Sequence, residues 1–501
     1  MDIEQFRKSG RQMVDYIADY YENIRNRPVI HNVSAGYLAP QLPDSAPEDP
    51  EDWQEIFKDI ERVIMPGVSH WRSPRFHGYY AAGGSFPSLL ADMLCDAIGC
   101  IGFSWTASPA CTELEMVTTD WLAKMLGLPA HFRHSSSGQG GGVIQTTACE
   151  AVFLCLLAAR KNIIHKMKAA DPDTQEGDIT SRLIAYTSDE AHSSVNRAGI
   201  LAGIRMRKLA TDDDFRLRGK TFQQAIDEDK RNGDIPFYLC ATLGTTGTCA
   251  FDDLKELGPI CEREGVWLHV DAAYAGSAFA CPEFRHYLDG VEYAETFSVN
   301  PHKWMLCNFD LSVMWIRNRD LLVDAFRVDS VIYPDHKEQG IVCDYRHWQI
   351  PLARRFRALK LWFVLRSYGV KGIQAHIRRD VALAKQLDGL LKADGRFEMP
   401  APTVMGLVCI RLKGSNDLTE SLFEDLISKG KIFVATSHAN KDGRDVNFIR
   451  VAMVAENVTP EDVRMTYEAI RQSADCVMRN ASSSGRKRKA ENGTTVQNGT
   501  C

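Results

Sequence analysis

The feature that most constrains the fold is an alternation, in the middle third of the chain, of short apolar runs with longer helix-like stretches. The apolar runs are rich in β-branched residues and cover 183–187, 236–242, 266–270, 296–299 and 311–316. Helix-like stretches lie between them or beside them, at 113–126, 150–169, 221–232 and 254–264. Strands that are apolar on both faces and are joined by helices are typical of a parallel sheet covered on both sides. The sequence therefore predicts an α/β fold with a mainly parallel sheet.

The flanking segments predict two smaller parts around this sheet. Apolar residues recur at helical spacing in 2–26, residues 38–52 are rich in Pro, Asp and Glu, and residues 372–475 alternate helical and strand-like patterns. From 477 onward the composition shifts to Asn, Ser, Gly and Thr around a basic cluster, which is typical of disorder. We predict an N-terminal helical segment (1–85), a large α/β domain (86–360), a smaller α+β domain (361–476) and a disordered tail (477–501).

Composition argues against several classes of function. The chain has 501 residues and a net charge of −6, which gives no indication of a nucleic-acid-binding surface. It contains no apolar run of about 18 residues that would span a membrane, and its acidic N-terminus lacks the apolar core of a signal peptide. The 14 cysteines are scattered and none forms a C-x-x-C pair, which favours free thiols in a reducing cytosol. We expect a cytoplasmic protein with no metal, membrane or nucleic-acid partner.

Two charged residues follow predicted strands and together indicate a specific cofactor. Lys303 lies just beyond the strand 296–299, and Asp271 directly follows the strand 266–270. Ligands of open α/β sheets bind at these strand ends. A lysine whose pKa is lowered there can form a Schiff base. A carboxylate can keep a pyridine nitrogen protonated, which makes the ring an electron sink. The pair predicts pyridoxal 5′-phosphate (PLP) chemistry.

Other motifs offer a seat for the phosphate and the ring of such a cofactor. The glycine-rich stretch 138–142 leads to Thr147 and Ala148 at a helix start, where backbone N–H groups bind anions. Thr246, within 244–248, follows a strand and offers a hydroxyl near the ring. His192 follows the strand 183–187, where it would stack on the ring or give a proton; a purely structural histidine is the alternative interpretation.

With Asp271, Lys303 and His192 in place, the chain resembles the group II PLP-dependent decarboxylases. Within that group it resembles the animal aromatic L-amino-acid decarboxylases and their histidine and tyrosine decarboxylase relatives. The resemblance extends from about residue 4 to 475 and is carried by the stretches 64–71, 102–105, 108–115, 244–248, 269–278, 300–303 and 344–350. It implies fold-type I architecture, a homodimer with active sites at the subunit interface, and a carboxy-lyase that converts an aromatic L-amino acid to its amine. The N-terminal segment would then wrap the partner subunit.

The resemblance also implies roles for single residues. Lys303 would carry the cofactor, Asp271 would hold its pyridine nitrogen, His192 would stack over the ring and protonate Cα, and Tyr333 would be the tyrosine of the catalytic loop. Further cofactor contacts would fall on Thr147, Ala148, Thr246, Ala273, Asn300 and His302. The substrate pocket would comprise Trp71, Tyr79, Tyr80, Ala82, Ile101, Phe103, Phe309 and Ala353, with Ile101 and Phe103 reaching across the dimer. An apolar pocket of this kind favours loss of the carboxylate as neutral CO2 and offers contact area to an aromatic side chain.

Some positions depart from the family pattern and keep alternatives open. Tyr333 comes one residue later in its loop than in relatives and is followed by a proline, so an oxygen-consuming aldehyde synthase is one alternative. The stretches 43–50 and 121–127 are close to histidine decarboxylases, which gives a second alternative, and a non-catalytic PLP-fold protein is a third.

Three further departures concern the pocket and the cofactor. Residues 81–84 read Ala-Ala-Gly-Gly where relatives have Pro-Thr or Pro-Ala, which we expect to add backbone freedom. Cys149 replaces a common serine near the phosphate, and a thiol is a weaker donor. Ala353 stands where relatives have glycine or serine; its methyl group adds no hydrogen bond and favours catechol or phenol side chains over imidazole.

Overall fold

A seven-stranded sheet forms the centre of the larger part of the chain. The computed structural model describes residues 1–327, 342–441 and 443–492. The spatial order of the strands is β1-β7-β6-β5-β4-β2-β3, with β1 (Gly141–Gln145), β2 (Leu183–Ser188), β3 (Arg205–Leu209), β4 (Ile235–Thr242), β5 (Trp267–Asp271), β6 (Thr296–Val299) and β7 (Ser312–Ile316). β7 is antiparallel to both of its neighbours, and the pairs from β6 to β3 are parallel. The predicted, mainly parallel sheet is confirmed.

Helices cover both faces of this sheet. In chain order the helices are α1 (Ile3–Glu22), α2 (Trp53–Asp59), α3 (Phe86–Ile98), α4 (Pro109–Leu126), α5 (Ala148–Ala170), α6 (Glu176–Arg182), α7 (Ser193–Ala202), α8 (Gly219–Arg231), α9 (Leu254–Glu264), α10 (Pro301–Trp304), α11 (Asp320–Phe326), α12 (Ala358–Ala393), α13 (Asn416–Lys429) and α14 (Pro460–Asn492). Alternate strand residues face opposite sides. Leu239 and Leu268 pack in the core with α4, α8 and α9, whereas Cys240 and Trp267 pack in the core with α5 and α7. This two-sided burial explains the continuously apolar strands.

The C-terminal part has its own antiparallel sheet and buried core. Its strands are β8 (Phe397–Glu398), β9 (Leu407–Leu412), β10 (Ala435–Lys441) and β11 (Arg444–Ala452), in the order β10-β11-β9-β8. Side chains of this sheet, of α13 and of α14 form a separate buried cluster. The smaller α+β region is thus present as expected. The predicted boundary after residue 360 falls within α12, and α14 runs to Asn492, so the segment 477–492 is helical where the composition predicts a disordered tail.

The N-terminal segment lies against the rest of the chain through polar contacts. Asp2 and Gln5 form a capping box at the start of α1. Within the segment, the hydroxyl of Tyr20 lies 3.0 Å from His70 Nδ1, and Arg25 joins it to the C-terminal part by pairing with Asp462 of α14 at 2.9 Å. In the part of the chain that the structure describes, no helix is long and apolar enough to cross a membrane.

Candidate active site

The turn that carries Lys303 is fixed by backbone and side-chain bonds at the end of β6. The backbone N–H of Asn300 donates to the carbonyl of Ala273 at 3.0 Å, and that of Lys303 donates to the carbonyl of Asn300 at 2.9 Å. The side-chain oxygen of Asn300 accepts a bond from the Ser312 hydroxyl of β7 at 2.7 Å. Burial lowers the pKa of Lys303 below its usual range, although the charge of Asp271 opposes the shift. The shift favours the neutral amine of Lys303 over the ammonium form.

Asp271 lies in a row of polar side chains across three parallel strands. It is 4% exposed, ends β5, and is in register with Thr242 of β4 and Ser298 of β6. One of its carboxylate oxygens accepts the N–H of Ala273 at 3.0 Å. The hydroxyls of Thr242 and Ser298 are buried and have no hydrogen-bond partner within the described residues. Because buried polar groups are normally paired, this row has hydrogen-bonding capacity for a polar ligand.

His192 caps the start of α7 and has a defined tautomer. Its Nδ1 accepts the backbone N–H of Ser194 at 3.2 Å and lies 2.8 Å from the Ser194 hydroxyl. A neutral ring therefore carries its proton on Nε2. Burial lowers the pKa of His192, the charge of Lys303 lowers it further, and Asp271 opposes the shift. His192, Lys303 and Asp271 are thus close enough to influence each other's charge.

The start of α5 and the turn 244–248 offer binding groups for the anionic and polar parts of a ligand. Thr147 is the N-cap of α5, and its side chain makes no capping bond. The N–H groups of Ala148 and Cys149 lie in the first turn, where a helix supplies no acceptor, so they are available to an anion. Cys149 lies near enough to Lys303 to act on its pKa. Thr246 sits half-buried in the turn, next to Gly247.

Arg450, which the sequence did not single out, reaches this turn from the C-terminal sheet. It is 3% exposed, and its Nε donates to the carbonyl of Gly247 at 3.1 Å. Its Nη2 is buried and has no partner in the described ranges of the chain. The guanidinium carbon lies 4.8 Å from the ring centroid of Tyr80. A buried cation with an unused donor is a candidate binding group for an anion.

The side chains of the adjacent residues Tyr79 and Tyr80, both predicted for the pocket, lie in different environments. Tyr79 has a φ of 61°, which turns the chain between them. Tyr80 is buried, stacks on Tyr274 with 3.6 Å between ring centroids, and lies 5.7 Å from Lys303 Nζ. Tyr79 instead stacks on Trp71 at 5.5 Å. Tyr80 is therefore placed beside the lysine, whereas Trp71 and Tyr79 form a separate, partly exposed aromatic surface.

The segment 81–84 packs closely against the lysine turn. The N–H of Gly83 donates to the carbonyl of His302 at 2.6 Å, and a Cβ atom at Gly83 would lie 2.8 Å from the carbonyl oxygen of Lys303. The expectation that these glycines add backbone freedom is therefore wrong for Gly83, which is needed for close approach. Ala82 and Trp71 line a cavity of about 500 Å³. Phe309 is 60% exposed, and its ring lies 4.9 Å from the ring of His302.

Ile101, Phe103 and Ala353 form a second group. The N–H of Gly102 donates to the carbonyl of Arg354 at 3.1 Å, which brings their two segments together. Ile101 is 54% exposed and Ala353 is also exposed in the single chain. Tyr333 lies outside the described residues. Across those residues, no group of three or more His, Cys, Asp or Glu side chains has the arrangement of a metal site.

Comparisons with known proteins give consistent findings. The pyridoxal-dependent decarboxylase conserved domain matches residues 35–413. The aromatic-L-amino-acid decarboxylase of Cavia porcellus is 52% identical over 480 residues, which cover 96% of this chain and 99% of that protein. The histidine decarboxylase of Homo sapiens is 52% identical over 479 residues, which cover 95% of this chain and 72% of that protein. The crystal structure of Catharanthus roseus tryptophan decarboxylase in complex with L-tryptophan is 39% identical and has a TM-score of 0.87, with 95% and 99% of the two chains covered.

Proposed function

Because this chain belongs to the pyridoxal-dependent decarboxylase family, we propose that it removes the α-carboxylate of an aromatic L-amino acid and releases the amine and CO2. The observation that carries the proposal is the convergence of a lysine of lowered pKa, a buried carboxylate and a histidine of fixed tautomer at the strand ends. These three groups are Lys303, Asp271 and His192. Their arrangement provides an attachment point, a charge partner for a pyridinium and a proton donor in one place.

The residues present fit PLP. The Lys303 amine would bind the cofactor covalently, since burial favours its neutral, nucleophilic form. Asp271 would hold a proton on the pyridine nitrogen. The hydroxyls of Thr242 and Ser298, which have no partner among the described residues, lie on either side of Asp271. The first turn of α5, with Thr147 and Ala148, would bind the phosphate. Ala273, Asn300 and His302 would support the site through the bonds that shape the lysine turn. Thr246 would contact the ring from the turn 244–248.

The protein groups around the cofactor would direct the chemistry. Bound PLP supplies an electron sink that accepts the electron pair left at Cα when the C–CO2 bond breaks. Arg450 offers its unused Nη2 to the α-carboxylate of the incoming amino acid. His192 holds a proton on Nε2, because Nδ1 is occupied by Ser194, and gives it to Cα once CO2 has left. We propose that Tyr333, whose position is not described, favours decarboxylation over the oxygen-consuming formation of an aldehyde.

The aromatic side chain of the substrate would pack on the apolar surfaces beside the lysine. Tyr80 lies beside Lys303 and Phe309 beside His302, and Trp71 and Ala82 line a cavity that they share with α1 and residues 454–457. Such surfaces exclude water, which disfavours a charged carboxylate relative to neutral CO2. One relative is named as an aromatic-L-amino-acid decarboxylase and another as a histidine decarboxylase, and each is 52% identical to this chain. Histidine decarboxylation is therefore the second candidate function.

A product assay on the purified, PLP-loaded protein tests the proposal. Dopa, 5-hydroxytryptophan, tyrosine, tryptophan, phenylalanine and histidine are offered separately, and amine, CO2, aldehyde and hydrogen peroxide are quantified. We expect amine and CO2 in equal amounts from at least one of the first four substrates, without peroxide. Turnover of histidine alone would establish the second candidate. Aldehyde with an equal amount of peroxide would show the oxygen-consuming reaction and contradict the named one.

We further propose that the protein is a cytoplasmic homodimer whose active sites lie at the subunit interface. Ile101 and the helix α3 expose apolar side chains in the single chain, among them Phe86, Leu90, Met93 and Ile98. A contiguous apolar face of this kind supports a protein interface. Ile101 and Phe103 would then complete the pocket of the partner subunit. Every cysteine in the described ranges is an unpaired thiol, which supports a reducing compartment.

A further inference from the structure

We propose that Asp380 is a positioning residue of the active site, whose buried carboxylate anchors the indole of Trp304 and thereby the turn that carries Lys303. The inference rests on the proposed role of Lys303 in binding the cofactor. Asp380 belongs to α12, far from the lysine in sequence, and neither the fold nor the chemistry described above assigns it a function.

The anchor is a single, fully buried hydrogen bond. Asp380 and Trp304 are both 0% exposed, and Trp304 Nε1 donates to Asp380 Oδ2 at 2.9 Å. Trp304 follows Lys303 directly and ends the short helix α10. A four-residue helix has little internal stability, so its orientation depends on the contacts of its side chains. Two of these contacts are directional: the bond from Trp304 to Asp380, and the bond that His302 Nδ1 accepts from the N–H of Leu311 at 3.0 Å.

The indole also ends a stack of aromatic rings that leads back to the lysine. Trp304 stacks on Tyr274 with 4.8 Å between centroids and 15° between planes, and Tyr274 stacks on Tyr80 at 3.6 Å and 12°. Lys303 Nζ lies 5.7 Å from the Tyr80 ring. The hydroxyl of Tyr274 accepts the N–H of Gly406 at 3.2 Å, so the stack is fixed from the C-terminal region as well. Any rotation of the indole would therefore be transmitted to the surface on which Lys303 rests.

The charged surroundings of Asp380 favour an ionised carboxylate at neutral pH. Arg379 donates to Oδ1 at 2.8 Å through Nη2, and His376 Nε2 lies 3.5 Å from Oδ2. Burial lowers the pKa of His376 to about 3, so this ring is neutral, and its Nδ1 accepts from Arg379 at 2.9 Å. Tyr274 is a further titratable side chain near Asp380: burial raises the pKa of this tyrosine, and the charge of Asp380 adds to that larger effect. Burial raises the pKa of Asp380 to about 6, against the opposing effects of Arg379 and Trp304.

These contacts predict how the anchor depends on pH. A carboxylate accepts an N–H bond more strongly than a carboxylic acid does. Protonation of Asp380 below about pH 6 therefore weakens its hold on Trp304. We expect the affinity for PLP to fall in the same range, because a mobile lysine turn must be ordered again each time the cofactor binds.

The experiment is a titration of the apo-protein with PLP, followed by the absorbance of the bound cofactor. The variants are Asp380→Asn, Trp304→Phe and the double variant. Trp304→Phe keeps a ring on Tyr274 but removes the indole N–H. Asp388→Asn is the matched control, since Asp388 lies on the same helix and pairs with Lys392 at 2.7 Å and Thr403 at 2.8 Å, away from Trp304.

We expect each single variant to weaken PLP binding about tenfold, as for the loss of one charge-assisted bond, and the double variant to be no weaker than either single one. The loss of affinity below pH 6 should be smaller in Asp380→Asn than in the wild type and in Asp388→Asn. Equal affinities of Asp380→Asn and Asp388→Asn, or losses that multiply in the double variant, would overturn the proposal. Because the readout is cofactor binding, it stands apart from the product assay: a protein that binds PLP normally but forms no amine refutes the proposed function alone.

Discussion

Replacing Glu115 with glutamine is expected to destabilise the protein strongly and to loosen the second group of pocket residues. Glu115 of α4 forms an ion pair with Arg354 in which the two side chains are 1% and 2% exposed. The same carboxylate accepts the N–H of Ile144 in β1 at 2.7 Å, and Arg354 donates to Gln349 at 2.7 Å. The pair therefore joins α4, β1 and the segment that precedes α12.

The magnitude follows from the burial of the pair. In Glu115→Gln the amide oxygen still accepts the N–H of Ile144, but the guanidinium of Arg354 remains buried without its counter-charge. Removing one partner of a buried ion pair costs about 3–5 kcal/mol, and the retained bond places this variant near the lower end, at about 3 kcal/mol. The double variant Glu115→Gln with Arg354→Met removes the unpaired charge as well, so it is expected to recover at least half of that loss.

The assay is equilibrium unfolding in urea at pH 7, with all variants at the same protein and PLP concentrations because bound ligand adds apparent stability. Glu113→Gln is the control: Glu113 lies on the same helix but is exposed, and it accepts a bond from Trp105 at 2.7 Å. The carbonyl of Arg354 holds Gly102 between Ile101 and Phe103, so KM should rise more than kcat falls. A Glu115→Gln variant within 1 kcal/mol of Glu113→Gln would refute the reasoning.

Three further outcomes are expected. If Ile101 and Phe103 complete the partner's site, the inactive variants Lys303→Ala and Phe103→Ala should regain about a quarter of wild-type activity when they are refolded together. The reason is that half of the dimers are then mixed and each mixed dimer has one intact site. No regain of activity would mean that Phe103 acts within its own subunit. Burial lowers the pKa of His77 to about 4, below the unfolded value, so the unfolded chain binds the proton first and stability is lost as pH falls. His77→Gln should therefore lose about 2 kcal/mol less than the wild type between pH 7 and pH 5, measured by urea unfolding at both values. Arg450→Met should weaken binding of the amino acid about tenfold and leave binding of the amine product unchanged, because only the amino acid has a carboxylate. Binding of both ligands is measured by calorimetry in a catalytically inactive Lys303→Ala background. Equal losses of affinity for the two ligands would exclude Arg450 as the carboxylate site.

The strands that carry the site could be predicted because they are buried on both faces. Each of the five strands expected from the sequence is present within about a residue at either end. Two strands of the large sheet were missed, each for its own reason. β1 begins with Gly141 and Gly142, which look like a loop, yet a Cβ at Gly142 would lie 2.6 Å from the side chain of Thr119, so the strand needs the glycine to pack on α4. β3 is an edge strand with charged and partly exposed residues, and edge strands lack the apolar pattern.

The site could be predicted only where a functional residue lies at or just after the end of a strand in the sequence. Lys303 and His192 follow strands and Asp271 ends one, so topology alone brings them to one edge of the sheet. Arg450 and the Glu115–Arg354 pair are different. Arg450 binds a residue 203 positions away, and the ion pair joins residues 239 positions apart. No local pattern in the sequence predicts such contacts, because they depend on how the C-terminal sheet and the segment before α12 pack against the large sheet.

Two basic side chains beside Tyr80, Lys303 and the buried Arg450, connect the cofactor and the substrate in one arrangement. Lys303 Nζ lies 5.7 Å and the Arg450 guanidinium 4.8 Å from the same ring, and the charge of Arg450 lowers the pKa of Lys303. Burial is the larger cause of this shift, and both effects favour the neutral form of the lysine. The arrangement therefore favours a neutral, nucleophilic Lys303 and keeps one permanent cation for an anionic ligand. The charge of Arg450 thus adds to the effect of burial on the lysine, and the guanidinium is itself available to a carboxylate. Its position depends on the docking of β11 of the C-terminal sheet against the turn 244–248.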